Sequence, residues 1–303
     1  MRVAYFGTSD FAAAVLRHLA SSEHRPVLVV TPPDRPRGRG RRLSPAPAAT
    51  AASELGIDVL RTGAASEPAA LERIRSAGAE LGVVCAFGQI LRDPLLSELE
   101  LLNVHPSLLP RWRGAAPIER AIMAGDERTG VSIIRLTEGL DSGPVALAEE
   151  VEVGGGDYGD LASQLEPVGA RLLIATLDRR AAGELELEQQ DESRATYAEK
   201  IDPGERRLDP RLEAVELERR VRALTPHIGA YLELAGGERL GVLEARAVPG
   251  GLATGVLDAE AGLRLGCGAG ALELLRVRPA GGRPMDAEAY LRGHPLPRPA
   301  PGG

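Results

Sequence analysis

Residues 101–145 read LLNVHPSLLPRWRGAAPIERAIMAGDERTGVSIIRLTEGLDSGPV, and this stretch decides the fold class. Residues 101–104 have the character of a short buried strand. Pro106 has no N–H to give to a sheet ladder, so the strand ends there. A helix is predicted over 116–124 and a second buried strand over 131–136. Moving outward, 2–6 form a β-type run ended by Gly7, and Ser9 or Asp10 is placed to cap a helix carrying Phe11, Val15, Leu16 and Leu19. Residues 27–30 and 81–85 are further apolar strands, and 68–77 and 159–182 read as helices. Buried apolar strands alternating with helices define an α/β fold. The expected architecture is a Rossmann-like, mostly parallel sheet with helices on both faces.

The pattern changes after about residue 183. A charged segment with Gly and Pro, 184–206, reads as a linker. An amphipathic helix over 211–224 follows, and then short stretches at 230–234, 239–247, 255–257, 263–267 and 272–277, separated by Gly-rich turns. Five short strands at close spacing predict a small OB-like β-barrel. The division is therefore a first domain over 1–183, the linker over 184–206, and a C-terminal β-barrel domain over 207–303 whose tail, PLPRPAPGG, is expected to be disordered. The length of 303 residues fits two domains at about 150 residues each.

Composition narrows the function classes. The apolar and charged fractions, 44% and 26%, suit a soluble globular protein. No apolar run approaches the ~18 residues that span a bilayer, and the N-terminus lacks the pattern of a secretory signal. A cytoplasmic protein without membrane contact is expected. Two cysteines, Cys85 and Cys267, cannot build a disulfide framework or a multi-Cys zinc site. The net charge of −7 gives no general attraction to nucleic acid. The chain has one lysine (Lys200), one asparagine (Asn103) and one tryptophan (Trp112).

That single asparagine lies two residues before His105. On a strand of period two both side chains project from one face, at the carboxyl end where ligands bind in open α/β sheets. An amide N–H beside an imidazole suits acyl-type chemistry, because one stabilises a developing oxyanion and the other moves a proton. Asp141, in EGLDSGP, completes the set as a carboxylate that orients or charges His105. Gly139 and Gly143 are expected to let the backbone turn tightly around it.

The segment NVHPSLLPRWRGAAPI closely resembles the methionyl-tRNA formyltransferases, within the wider group of enzymes that use 10-formyltetrahydrofolate. The resemblance extends to AYFGTSDFA, TPPDRPRGRGRRLSPAP, AFGQIL at 86–91 and GLDSG at 139–143, and at the C-terminal end to RALTPHIGAYL and GGRPMDAEAYLRG. It implies transfer of a formyl group from 10-formyltetrahydrofolate, as cosubstrate, to the α-amino group of initiator methionyl-tRNA, with Asn103, His105 and Asp141 as the catalytic trio and with no metal needed. It places Ser107, Leu108, Leu109 and Pro110, together with Phe87, Gly88, Gln89, Ile90 and Leu91, at the folate site. Phe87 and Ile90 read equally well as core packing, and Trp112 as a stacking surface or as a brace for its loop. His227 and Ile228 stand where the family commonly has an aromatic and a proline.

The run DRPRGRGRR, 34–42, holds five arginines against one aspartate in an otherwise acidic chain. Such a run can neutralise several phosphates, with binding that weakens in salt. By the resemblance it reaches the acceptor arm of tRNA, so Arg35, Arg37, Arg39, Arg41 and Arg42 are the expected tRNA contacts. The C-terminal barrel would hold the tRNA by shape, and the protein is expected to be a monomer. The competing readings are a formyltransferase for glycinamide ribonucleotide or an amino-sugar nucleotide, and a non-catalytic RNA-binding protein. A dinucleotide-dependent oxidoreductase is disfavoured, because the first turn, GTSDF, lacks G-x-G-x-x-G.

Overall fold

The computed structural model describes residues 1–37 and 42–299. Chain contacts divide it into two compact units: 1–117, 128–152 and 162–199 in the first, and 118–127, 153–161 and 200–303 in the second. In chain order the first half holds β1 (Val3–Gly7), α1 (Asp10–Ala20), β2 (Pro26–Thr31), β3 (Arg35–Arg37), β4 (Arg42–Ser44), α2 (Pro47–Glu54), β5 (Val59–Arg61), α3 (Pro68–Ser76), β6 (Leu81–Cys85), α4 (Leu95–Glu98) and β7 (Leu101–His105). There follow β8 (Arg113–Gly114), α5 (Pro117–Ala124), β9 (Arg128–Arg135), β10 (Val145–Glu152), α6 (Tyr158–Ala182) and β11 (Tyr197–Ala198).

The main sheet has the order β10-β9-β7-β6-β1-β2-β5. Strands β7, β6, β1, β2 and β5 are parallel, while β9 and β10 join antiparallel. Its strands read as continuous apolar runs because helices cover both faces. On one face, Ala4, Phe6, Leu28, Val30 and Leu101 pack with Leu71 and Ile74 of α3 and Leu95 of α4. On the other, the Tyr5 hydroxyl donates to the Ala12 carbonyl of α1 (2.7 Å), and Val104 lies against Gly169 of α6. Ser9 caps α1, its side chain accepting from the Ala12 N–H at 3.2 Å.

Several elements were not legible as such. Helix α2 has alanine as its only apolar residue besides Pro47, which carries little hydrophobic period, yet Ala48, Ala49, Ala51 and Ala52 are fully buried. The Pro-, Gly- and Arg-rich run around 31–47 has a composition that reads as an irregular loop. Instead β3 and β4 pair antiparallel within it. Backbone groups alone make that ladder, and Pro36 is tolerated in an edge strand with one partner. The segment read as a free linker is also partly built: β11 pairs with β8, and Glu188 exchanges two backbone hydrogen bonds with Val145 at 2.8 Å each. A charged composition does not prevent backbone groups from finding partners in a neighbouring strand.

The second unit adds α7 (Ala214–Leu224), β12 (Ala230–Glu233), β13 (Arg239–Val248), β14 (Leu257–Asp258), β15 (Arg264–Gly266), β16 (Ala271–Arg278), β17 (Met285–Asp286) and α8 (Ala287–Gly293). The strands form an antiparallel sheet in the order β12-β13-β16-β15-β14, with β17 beside β16. Four of the five stretches read as strands are strands, and of 255–257 only Leu257 enters one, β14. Leu217, Val221 and Leu224 of α7 meet Leu232, Leu240, Val242, Leu272, Leu274 and Val277 in one core. The tail was expected to be disordered, but Arg298 and Pro299 run beside Leu234, the Arg298 carbonyl accepting from the Ala235 N–H at 2.7 Å. Residues 300–303 of that tail lie outside the described residues. Among the described residues no helix is long and apolar enough to cross a membrane.

Leu217 is fully buried on α7. Its replacement by alanine is expected to cost about 2–5 kcal/mol, read as a lowered midpoint in urea denaturation of the full chain. A change below about 0.5 kcal/mol, the level of ordinary surface substitutions, would contradict the α7-centred core.

Candidate active site

Strand β7 builds the site by alternation. Leu101, Asn103 and His105 share one face, and Leu102 and Val104 the other. Leu101 sinks into the apolar cluster beneath α3 and α4, which fixes the strand's rotation and so aims Asn103 and His105. The strand stops at His105, immediately before Pro106. Asn103 and His105 are 9% and 3% exposed, so their polar groups need partners within the protein.

The structure brings Asn103, His105 and Asp141 together. The Asn103 Nδ2 donates to Asp141 Oδ1 at 3.1 Å, and the Gly114 N–H donates to Asp141 Oδ2 at 2.9 Å. The same Oδ2 faces His105 Nδ1 at 3.6 Å. The other ring nitrogen, Nε2, lies 2.8 Å from the Trp112 carbonyl oxygen. A carbonyl can only accept, so Nε2 carries a hydrogen and Nδ1 is the nitrogen turned toward Asp141. With Nε2–H engaged, Nδ1 is the nitrogen able to take up a proton, on the side of the ring that faces the Asp141 carboxylate. The arrangement can therefore present an amide N–H to a nascent oxyanion and hold or move one proton beside it.

Asp141 reaches this position through its own backbone. The positive φ of the 139–143 turn lies on Asp141, at +46°, and not on Gly139 or Gly143. Aspartate is among the few residues that tolerate this region. Gly143 is needed for a different reason than turning: a Cβ there would lie 1.8 Å from the Arg135 carbonyl oxygen. Two groups that orient the trio escaped the sequence reading, the Trp112 carbonyl and the Gly114 N–H. Both are backbone atoms, on which side-chain chemistry gives no information. The nearest signal was the sequence RWRG itself.

The expected folate residues fall into distinct surroundings. Phe87 is buried, edge-on to Phe6 at 5.6 Å, and its carbonyl accepts from Thr8 Oγ1 at 2.6 Å. Gly88 has φ +75°. The Gln89 side chain braces another loop, donating to the Thr62 carbonyl at 2.7 Å and accepting from the Ala65 N–H at 3.1 Å. Ile90 is exposed, and Leu91 packs partly on the core. Ser107 is buried, its hydroxyl donating to the Arg111 carbonyl at 2.6 Å. The Leu109 N–H donates to Ser132 Oγ at 3.1 Å, Leu109–Pro110 is cis, and Leu108 is half-buried against Gly130. The Arg111 guanidinium lies 4.3 Å from the Trp112 ring centroid. Of the basic run, Arg35 and Arg37 stand on β3 and Arg42 on β4, while Arg39 and Arg41 lie outside the described residues. The one acid of the run, Asp34, pairs with Arg61 at 3.0 Å.

Gly114 has φ +120°, and a Cβ there would lie 2.7 Å from the Ala198 carbonyl oxygen. Gly114→Ala is expected to cost about 1–3 kcal/mol and to displace the N–H that holds Asp141. A melting temperature and a turnover rate both equal to wild type would contradict this.

Comparison with known proteins gives the chain its family. Residues 1–177 match the formyl transferase family, and residues 200–295 its C-terminal domain family. Methionyl-tRNA formyltransferase of Methylobacterium sp. (strain 4-46) is 43% identical over 302 residues, covering 98% of this chain and 97% of that protein. The enzyme of the same name from Halorhodospira halophila is 44% identical, covering 97% of each. Among solved structures, HypX from Aquifex aeolicus in complex with tetrahydrofolic acid matches 96% of this chain and 47% of its own, at a TM-score of 0.68 and 15% identity. This chain thus spans about half the length of HypX, and the likeness is one of fold. Methionyl-tRNA formyltransferase from Clostridium thermocellum matches 81% of this chain and 92% of its own, at a TM-score of 0.57 and 13% identity. With both family matches and relatives above 40% identity over nearly its whole length, the chain belongs to the formyl transferase family, with methionyl-tRNA formyltransferases as its full-length relatives.

Proposed function

We propose that the chain transfers the formyl group of 10-formyltetrahydrofolate to the α-amino group of methionyl-tRNA, with Asn103, His105 and Asp141 as the catalytic residues. The observation that carries this is their convergence: the Asp141 carboxylate accepts from Asn103 at 3.1 Å and faces His105 Nδ1 at 3.6 Å. The full-length relatives named methionyl-tRNA formyltransferase support the choice of acceptor over a ribonucleotide or a sugar nucleotide.

In this reading the neutral amine attacks the formyl carbon, and the carbonyl oxygen becomes an oxyanion. Asn103 uses one amide hydrogen on Asp141, which fixes the plane of the amide, and offers the second to the oxyanion. His105, with Nε2 committed to Trp112, works through Nδ1. The proton shed by the attacking nitrogen is taken up by the His105–Asp141 pair. A proton is returned to N10 as the carbon–N10 bond breaks, leaving tetrahydrofolate and formylmethionyl-tRNA. Residues 87–91 and 107–110 take the folate, 107–110 directly following His105 in the chain. Backbone groups of these loops suit a heterocycle with several donors and acceptors.

Replacement of Asn103, His105 or Asp141 by alanine is expected to lower the single-turnover rate, by about 10²–10³-fold where an oxyanion donor is lost. Rates like wild type in all three would remove the mechanism. The discriminating assay mixes protein and 10-formyltetrahydrofolate with methionyl-tRNA or glycinamide ribonucleotide and follows which is formylated. Formylation of the ribonucleotide alone would overturn the proposal.

The basic run 34–42, with its one acid occupied by Arg61, is the tRNA contact in this reading, through Arg35, Arg37, Arg39, Arg41 and Arg42. Changing Arg39, Arg41 and Arg42 to alanine is expected to raise KM for methionyl-tRNA and to flatten its dependence on salt, by about 0.7–0.9 in log–log slope for each phosphate no longer neutralised. KM for the folate should not move. An unchanged tRNA affinity with an unchanged salt slope would refute the assignment.

A further inference from the structure

We infer that Gln190 and Arg113 are positioning residues for the reaction, holding Asp141 in its productive place from the segment that composition marks as a linker. The inference rests on the catalytic reading of Asp141 given above. A single amide, Gln190 Nε2, donates to two backbone carbonyls, that of Asp141 at 2.8 Å and that of Gly143 at 2.7 Å. The other end of the amide, Oε1, accepts from Arg113 Nε at 3.0 Å and Nη2 at 2.8 Å. The orientation of the amide is forced by chemistry. A guanidinium can only donate and a carbonyl can only accept, so the nitrogen must face the 141–143 turn.

Arg113 is itself held. Its side chain is 2% exposed, and it forms a two-toothed pair with Glu192, Nη1 to Oε2 at 2.8 Å and Nη2 to Oε1 at 2.7 Å. The Arg113 guanidinium in turn holds the Glu192 carboxyl below its ordinary range. The strand carrying Arg113 is pinned by the same segment, because the Arg113 N–H donates to the Thr196 carbonyl at 2.9 Å and the Trp112 N–H to Thr196 Oγ1 at 2.9 Å.

Three consecutive residues therefore divide the orienting task. The Trp112 carbonyl sets the tautomer of His105, Arg113 through Gln190 fixes the backbone of Asp141, and the Gly114 N–H takes the Asp141 carboxylate. The need for such support is local. Asp141 sits at a positive φ in a turn whose residues 137–140 are exposed, so short-range packing does little to hold it. Loss of the Gln190 donor frees two carbonyls, and the carboxylate moves relative to Asn103 and His105.

The test uses the full-length protein in single-turnover formylation of methionyl-tRNA. Gln190→Leu removes both ends of the bridge. Gln190→Glu keeps an oxygen for Arg113 but has no N–H for the turn, so it preserves the structural end and removes the positioning end. Both are expected to lower kcat by about 10²-fold, the scale of a 1 Å misplacement, with KM for 10-formyltetrahydrofolate unchanged. In an Asp141→Asn background, which leaves Asn103 and His105 to supply a residual rate, Gln190→Glu is expected to have no further effect. A wild-type kcat in Gln190→Glu would overturn the inference, as would an equal loss with and without Asp141, since a merely structural role acts in both backgrounds. Should Gln190→Leu melt below the assay temperature, Gln190→Glu carries the same comparison. A wild-type protein that formylates methionyl-tRNA but is indifferent to Asp141→Asn would instead defeat the catalytic reading on which the inference stands.

Discussion

The Asp141 carboxylate is the contact on which the site depends. One oxygen takes the amide of Asn103. The other takes a backbone N–H from Gly114 and faces the ring of His105. Hydrogen bonds to a charged group are individually worth about 1.5–3 kcal/mol, and here they draw together three segments distant in sequence: the end of β7, strand β8 and the 139–143 turn. If that carboxylate is displaced, Asn103 loses the partner that fixes its amide plane, and His105 loses the carboxylate that faces its Nδ1.

Holding one carboxylate in place occupies a large part of the first unit. The apolar face of β7 is locked by Leu101 in the core beneath α3 and α4, so the polar pair cannot rotate away. The turn that bears Asp141 is strained in its backbone, and its close approach to Arg135 requires glycine at 143. Strand β8 gains its own order from pairing with β11. Stability and chemistry are thus coupled through backbone hydrogen bonds more than through side-chain packing, and backbone bonds shift little when neighbouring side chains exchange rotamers.

The two units divide the chain in a way that differs from a simple cut. Residues 118–127 and 153–161, internal to the first stretch of sequence, cluster with the second unit. There Glu119 pairs with His227 at 2.9 Å, Tyr158 stacks on the same ring at 3.7 Å, and Arg222 donates to the Gly154 and Gly156 carbonyls. His227 has a defined role in packing, as a ring that both stacks on Tyr158 and pairs with Glu119.

Local chemistry was enough to determine much of this protein. Runs such as 81–85 and 101–104 declare buried strands because nothing but a covered sheet accommodates them, Pro106 declares where β7 must stop, and a period of two places Asn103 and His105 on one face. The spacing in NVHPSLLPRWRG carried the family. Tertiary structure decided the rest for identifiable reasons. Helix α2 buries only alanines and becomes a core element because α1 and the β2 and β5 strands lie against it. Strands β3, β4 and β11 are made by backbone groups that every residue possesses, so composition could not announce them. The partners of the trio, the Trp112 carbonyl, the Gly114 N–H and the amide of Gln190, lie up to 49 residues away in sequence. Two are backbone atoms, and the third is a glutamine indistinguishable by type from any surface glutamine. A side chain's chemistry is written in the sequence, but what it faces is set by the path of the chain.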